Sequence, residues 1–279
     1  MGELRVGCSS WTSPAWSGRF YPDGISDGDR LAHYARFFDA VEVDSTYYAS
    51  PNPRVVESWA RKTPGTFRFT LKMPRELIDP KRPVEPESLA AFVETARRLG
   101  EKLGAVLLQF PPWFRPGSTV EGSGARYLAG VLAALPPSVR YSVELRNSAW
   151  FSGEIAAWLE PELRSRSIPL TWSSLTYLDV PPWRTAGWVY LRFIGDHVTV
   201  PAEQHGEIRV DRAGETRRWA ERLRATEVES AFAFFNNHFA GYAPTSANQF
   251  RREMGLAEVP LPETGSTVAA ARQSRLPSE

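Results

Sequence analysis

Residues 141–146 read Tyr-Ser-Val-Glu-Leu-Arg. Side chains alternate along a strand, so Tyr141, Val143 and Leu145 share one face while Ser142, Glu144 and Arg146 share the other. The run begins apolar and ends on charges. The same pattern recurs on both sides of it. Upstream, Ala40–Val43 leads into Asp44 and Thr46, with Glu42 in phase with both. Phe67–Leu71 leads into Lys72, setting Phe67, Phe69 and Leu71 against Arg68, Thr70 and Lys72, and Ala105–Phe110 carries Gln109 in phase with Leu107. Downstream, Trp188–Phe193 opposes Tyr190 and Arg192 to Val189, Leu191 and Phe193. Ala231–Phe235 then ends at Asn236-Asn237. Leu4–Cys8, ending in Ser9-Ser10-Trp11, and Pro169–Trp172 bring the number of such runs to eight.

Between them lie stretches with helical spacing of apolar residues: Leu31–Phe38, Val55–Ala60, Leu89–Leu103, Tyr127–Leu135, Ile155–Leu163, Trp219–Leu223 and Phe250–Leu256. The segment Leu175–Gly187, with Pro181-Pro182, lacks that spacing and reads as an irregular crossover after strand six. Strands alternating with helices predict parallel pairing. No G-x-G-x-x-G or Walker loop follows a strand, which removes the main support for a dinucleotide or P-loop fold. The expectation is α/β: a single TIM-like (β/α)8 barrel over residues 1–256, followed by a small, polar tail over 257–279 that is expected to be mobile.

Composition agrees. The chain has 279 residues, a net charge of +1, one cysteine and four histidines. A barrel of this type typically needs about 250 residues. A 42% hydrophobic fraction supplies a core. One cysteine makes no internal disulfide, no run is long and apolar enough to cross a membrane, and the N-terminus lacks the apolar stretch of a secretory signal. A cytoplasmic location is therefore expected. The absence of His-x-x-x-His, Cys-x-x-Cys and G-x-S-x-G argues against a pre-built zinc cluster and a serine-hydrolase elbow.

In a (β/α)8 barrel the C-terminal strand ends gather at one mouth, where active sites form. Glu42, Asp44, Lys72, Gln109, Glu144, Arg146, Arg192 and Asn236 are expected to converge there. Strand-end ion pairs that only satisfy each other are the alternative for the whole set. Glu144, Glu42 and Lys72 are the catalytic candidates. Only four of the 33 basic residues are lysine, so an amine at Lys72 stands out, and its pKa can be tuned where an arginine's cannot. Arg146, Arg192, Gln109, Asn236, Asn237, Asp44 and Tyr47 are candidates for holding substrate, with Trp11, Trp16, Trp150 and Trp172 as an apolar wall for a ring. For Arg192 the competing role is an ion pair with Glu42, and for the aromatics it is core packing. No cofactor is expected. A magnesium ion on Glu42, Asp44 or Glu144 is the one metal alternative.

The strand-end strings also resemble a known family, the one catalogued as domain of unknown function 72, or YecE-like. The strings are Gly7-Cys8-Ser9-Ser10-Trp11, Phe20-Tyr21-Pro22, Val41 through Tyr48, Phe69-Thr70-Leu71-Lys72-Met73-Pro74, Leu108-Gln109-Phe110-Pro111-Pro112, Val143-Glu144-Leu145-Arg146 with Ser148 and Trp150, Val189 through Phe193, and Phe235-Asn236-Asn237 with Ala243 and Asn248. The resemblance implies a TIM-like barrel. It runs to about Leu256. Three departures stand out. The family usually has Asn at Asp44, a His where this chain reads Ile194-Gly195, and often a Thr-His pair where it reads Ile78-Asp79. The departures argue against histidine-dependent chemistry in this member.

Three functions compete. The first is an enzyme acting on a phosphorylated or otherwise anionic substrate, with nucleotides and nucleic acid included, using a Glu acid or base and an Arg/Lys clamp. The second is a carbohydrate hydrolase or isomerase with Glu42 and Glu144 as its carboxylate pair. The third is a non-catalytic nucleic-acid-binding module, which predicts a basic, aromatic-lined groove. The expected partner is accordingly a small anionic molecule or a nucleic acid, with no membrane.

Overall fold

The computed structural model describes residues 2–261. Eight parallel strands form one sheet: β1 (Glu3–Ser9), β2 (Ala40–Val43), β3 (Arg68–Lys72), β4 (Leu103–Gln109), β5 (Tyr141–Glu144), β6 (Trp172–Ser174), β7 (Trp188–Phe193) and β8 (Ser230–Phe235). Their order is β5-β4-β3-β2-β1-β8-β7-β6. The sheet closes where Val143 bridges Leu170, with Val143 N–H donating to Pro169 O at 3.0 Å and Thr171 N–H to Val143 O at 2.8 Å. The architecture is the expected TIM-like barrel.

Helices α1 (Asp27–Tyr34), α2 (Pro53–Arg61), α3 (Pro86–Ala96), α4 (Ser123–Ala134) and α5 (Gly153–Ser165) follow the first five strands. α6 (Ala213–Arg224) follows β7, while α7 (Asn237–Ala240) and α8 (Ala243–Glu253) follow β8. No helix lies between β6 and β7, so the crossover there is irregular. Local chemistry sets several boundaries. Asn52 caps α2 by accepting from Arg54 N–H at 2.9 Å, and Pro53 opens the helix. The helical pattern expected over Leu89–Leu103 divides into α3 and a 3-10 segment, Arg97–Lys102, which Gly100 kinks with a left-handed φ of 59° ahead of β4.

The sixth strand differs most from its expected span, Pro169–Trp172. Pro169 has no N–H, and Leu170 N–H goes to Thr185 Oγ1 at 2.9 Å. Within the sheet residues 169–171 therefore bond only towards β5, and pairing with β7 starts at Trp172 opposite Leu191.

Alternation divides the apolar residues into two cores. Ala40, Ala105, Leu107, Trp188, Tyr190, Phe232 and Phe234 fill the barrel interior. The larger shell between sheet and helices takes the opposite faces. Gly104 is small by need: a Cβ there would lie 2.8 Å from the Phe232 ring. Of the residues assigned to the tail, Val259 is buried and exchanges hydrogen bonds with the Asn248 side chain, both at 2.8 Å. Packed structure thus continues past residue 256. Residues 262–279 lie outside the described residues. No described helix is long and apolar enough to cross a membrane.

Candidate functional site at the barrel mouth

Above the aromatic interior, the last inward-facing positions of β2, β3, β4, β5 and β7 carry Glu42, Lys72, Gln109, Glu144 and Arg192. All five are buried. Arg192 is the hub. Its Nε donates to Glu42 Oε2 at 2.8 Å and its Nη2 to Glu42 Oε1 at 2.7 Å, a two-point ion pair. Its Nη1 reaches Glu144 Oε2 at 2.5 Å and Gln109 Oε1 at 3.1 Å. Ser9 Oγ and Tyr190 Oη, each 2.8 Å away, supply two further donors to Glu42. Tyr190 Oη also lies 2.7 Å from Thr70 Oγ1. Every lone-pair direction of Glu42 is thus engaged.

Arg146 continues the network outward. It pairs with Glu144 through Nε and donates from Nη2 to Gln109 Oε1 at 3.1 Å. On the far side Lys72 Nζ stands 2.6 Å from Asp44 Oδ1, and Arg192 Nη2 is 3.8 Å from the same oxygen. The outcome is three cations against three carboxylates. Exposure is graded: the side chains of Glu42 and Glu144 are 0% exposed, Arg192 2%, Lys72 9%, Arg146 17% and Asp44 26%. The open edge is therefore Asp44, Arg146 and Lys72.

Protonation follows that gradient. Burial alone would raise the Glu42 carboxyl, but the charges of Arg192 and Lys72 and the hydrogen bonds from Arg192 and Ser9 hold it down at about 2. Burial also opposes ionisation of Glu144, and Arg146 and Arg192 overcome it, holding its pKa below the ordinary value. Burial and the neighbouring Glu42 charge raise Asp44, against the pull of Lys72 and Arg192. Burial would weaken Arg192 as a base, yet Glu144, Glu42 and Asp44 push it well above its ordinary value.

The other predicted residues separate into two groups. Tyr47 joins the mouth, its ring centroid 5.8 Å from Lys72 Nζ. Asn236 stands at the end of β8 and caps α7, its Oδ1 accepting from His238 N–H at 3.0 Å. Trp11, Trp150 and Asn237 are committed elsewhere. Trp11 packs edge-on against Trp59 in the outer shell, with ring centroids 5.6 Å apart. Trp150 is buried under Phe114, donating to its carbonyl at 2.8 Å. Asn237 ties two loops together, accepting from Trp16 Nε1 at 3.1 Å and donating to Ser13 Oγ at 3.1 Å.

Ser9, Thr70 and Tyr190 were not anticipated as members of the network. Their signal was in the alternation, since each is in phase with a polar inward residue. Tyr177 and His197, from the irregular loops after β6 and β7, come close enough to Arg146 for its charge to act on both. No periodicity announces them. Among the described residues no three His, Cys, Asp or Glu side chains stand arranged to hold a metal ion. Ile78 and Asp79 line a cleft of about 440 Å³ beside the mouth, which also includes Tyr47 and Gln109.

A family model described as "Protein of unknown function DUF72" matches residues 5–270. The chain belongs to the DUF72 family. It is similar to the UPF0759 protein YecE of Escherichia coli, with 30% identity over 167 residues, 59% of this chain and 57% of the relative. It is also similar to the UPF0759 protein YunF of Bacillus subtilis, with 29% identity over 53% of this chain and 52% of the relative. The chain thus spans little more than half the length of the curated relatives it matches. Two solved DUF72 structures share the fold. One is from Thermotoga maritima, with a TM-score of 0.73 and 25% identity over 91% of this chain and 99% of that one. The other is from Enterococcus faecalis, with a TM-score of 0.72 and 23% identity over 92% and 99%.

Proposed function

We propose that this DUF72 protein is an enzyme acting on a small anionic molecule at the C-terminal mouth of its barrel. The observation that carries the reading is the graded network. A buried, arginine-paired inner edge of Glu42, Arg192 and Glu144 holds an outer edge of Lys72, Asp44 and Arg146 towards solvent. The inner carboxylates are kept ionised by arginine and have no route to a substrate proton. Their role is to fix the outer groups, which lowers the cost of organising a binding site.

On the outer edge, Arg146 and Lys72 are the cations available to an anionic group. Asp44 sits beside them, and burial and the Glu42 charge raise its pKa above the ordinary carboxylate value, which makes it the carboxyl of the mouth readiest to take up a proton. The carbohydrate reading is weaker on the same grounds. A glycosidase needs one of its two carboxyl groups to carry a proton, and Glu42 and Glu144 are both held deprotonated.

The test is a turnover screen of phosphate monoesters and small carboxylates with wild type, Asp44→Asn, Lys72→Met and Glu144→Gln. Asp44→Asn is expected to abolish turnover while strengthening anion binding, and Lys72→Met to weaken binding. Turnover that survives both Asp44→Asn and Lys72→Met would refute the assignment.

A further inference from the structure

We propose that the cleft beside the mouth is a second subsite that selects substrates whose anionic group is attached to an uncharged planar ring. This rests on the anion-binding reading of the mouth. The cleft has a volume of about 440 Å³ and is bounded by Tyr47, Tyr48, Arg75, Arg82, Gln109 and Trp113. Small-molecule sites commonly fall between about 300 and 1,000 Å³.

Two residues make cleft and mouth one surface. Gln109 Oε1 accepts from both Arg146 and Arg192 at 3.1 Å and also forms the cleft wall. Tyr47 faces Lys72 with its ring, while its hydroxyl lies within reach of Gln109 and of the charges of Arg146 and Arg75. An anion held by Lys72 and Arg146 therefore has the cleft as adjoining room for the rest of the molecule.

The walls specify what fits there. Trp113 is 52% exposed and Tyr48 71%, large aromatic surfaces left towards solvent. Trp113 is not on a floppy loop. Pro111 and Pro112 precede it, Asn147 Nδ2 donates to Pro112 O at 2.7 Å, and the next residue, Phe114, is buried against Trp150 with centroids 5.0 Å apart. Lys81 Nζ lies 5.1 Å from the Trp113 ring centroid. A rigidly presented, exposed indole is a stacking surface for a planar group. The charges that line the cleft balance, Arg75 and Arg82 against Glu76 and Asp79, and a further charge beside them, Lys81, lies against the Trp113 ring. Anion binding is left to the mouth.

Calorimetric titration with phenyl phosphate and methyl phosphate tests this, using wild type, Trp113→Ala and Tyr48→Ala. Wild type should bind phenyl phosphate about tenfold more tightly than methyl phosphate, in line with the strength of ring stacking on an aromatic side chain. Trp113→Ala should erase that preference while leaving methyl phosphate affinity and the unfolding midpoint unchanged. Equal affinities in wild type, or a preference that persists in both variants, would overturn the subsite and leave the mouth assignment standing. Binding of neither probe to wild type would overturn the mouth assignment and the subsite with it.

Discussion

The two ends of the barrel both concentrate arginine, and they use it differently. At the N-terminal end, Arg5 donates to Thr66 O at 2.7 Å, Arg68 to Gly65 O at 3.1 Å and Arg140 to Gly104 O at 3.3 Å. Arg140 also lies over Trp188, 5.0 Å from the ring centroid. These guanidinium groups bond chiefly to backbone carbonyls and close the barrel floor; the carboxylates that Arg5 also meets, Glu3 and Asp39, have solvent-exposed side chains. At the C-terminal end, Arg192 and Arg146 bond to side chains, and the carboxylates among them, Glu42 and Glu144, are fully buried. A carbonyl acceptor has no charge to neutralise and no proton to exchange. A carboxylate has both, so its partner arginine sets which protonation state survives. Arginine at the floor fastens the fold, whereas arginine at the mouth also sets the chemistry.

The sharpest test of that contrast is Arg192→Met. It leaves Glu42 and Glu144 buried without their principal partner, and removing one member of a buried ion pair typically costs about 3–5 kcal/mol. Urea unfolding should show a midpoint lowered accordingly, the largest loss of any substitution considered. Stability close to wild type would mean that the two carboxylates take up protons or water at little cost and that the network is not rigid.

Much of this architecture was legible in the chain. The alternation in Tyr141–Arg146 and its counterparts placed Glu42, Lys72, Gln109, Glu144 and Arg192 on inward faces, because a period of two admits only two sides and one was apolar. Closure was harder to read. Pro169–Trp172 looks like one strand, yet within the sheet its first residues bond only to β5, a consequence of the proline and of Thr185, which is distant in sequence. Aromatic residues misled for a related reason. Trp11 and Trp150 follow strand ends, but the turns that carry them point the rings into the outer shell. Tyr177, His197 and His205 come from loops without periodicity, so no pattern could place them.

Next in size is Arg140→Ala at the floor. It removes a cation–π contact with Trp188 and the hydrogen bond to Gly104, together worth about 1–2 kcal/mol. Anion binding at the mouth should be unchanged. A loss of anion affinity equal to that of an Arg146 variant would dissolve the distinction between the two ends. Asp44→Asn is smaller still in stability, because Asp44 is the most exposed charge of the network and asparagine keeps its shape. Its effect belongs to function: Lys72 loses its counter-charge, and affinity for inorganic phosphate should rise several-fold, read by calorimetry. Unaltered affinity would place Lys72 outside the binding edge.

The smallest expected effect is confined to the rim. His197, His205 and His238 cluster there, with the His238 ring centroid 3.8 Å from His197 and 4.4 Å from His205. His238 Nδ1 lies 2.6 Å from Val200 O and 3.2 Å from His205 Nε2. Burial, then the neighbouring His238, lowers His205 from 6.5 to about 4. Burial, His238 and Arg146 lower His197 as well. Folded His205 thus binds its proton more weakly than the unfolded chain does. Its contribution to stability is full above pH 6.5 and is lost as the pH falls towards 4. Glu42, held at about 2, keeps its buried pair with Arg192 intact until more acidic conditions. Acidification should therefore loosen the rim first. Amide exchange over residues 196–209, corrected for intrinsic rate, should accelerate between pH 6.5 and 4 while the strands stay protected. His205→Gln should flatten that response. If rim and strands instead loosen together at one pH, or the variant behaves as wild type, the histidine cluster has no separate hold on the loop and the rim titrates as part of the barrel.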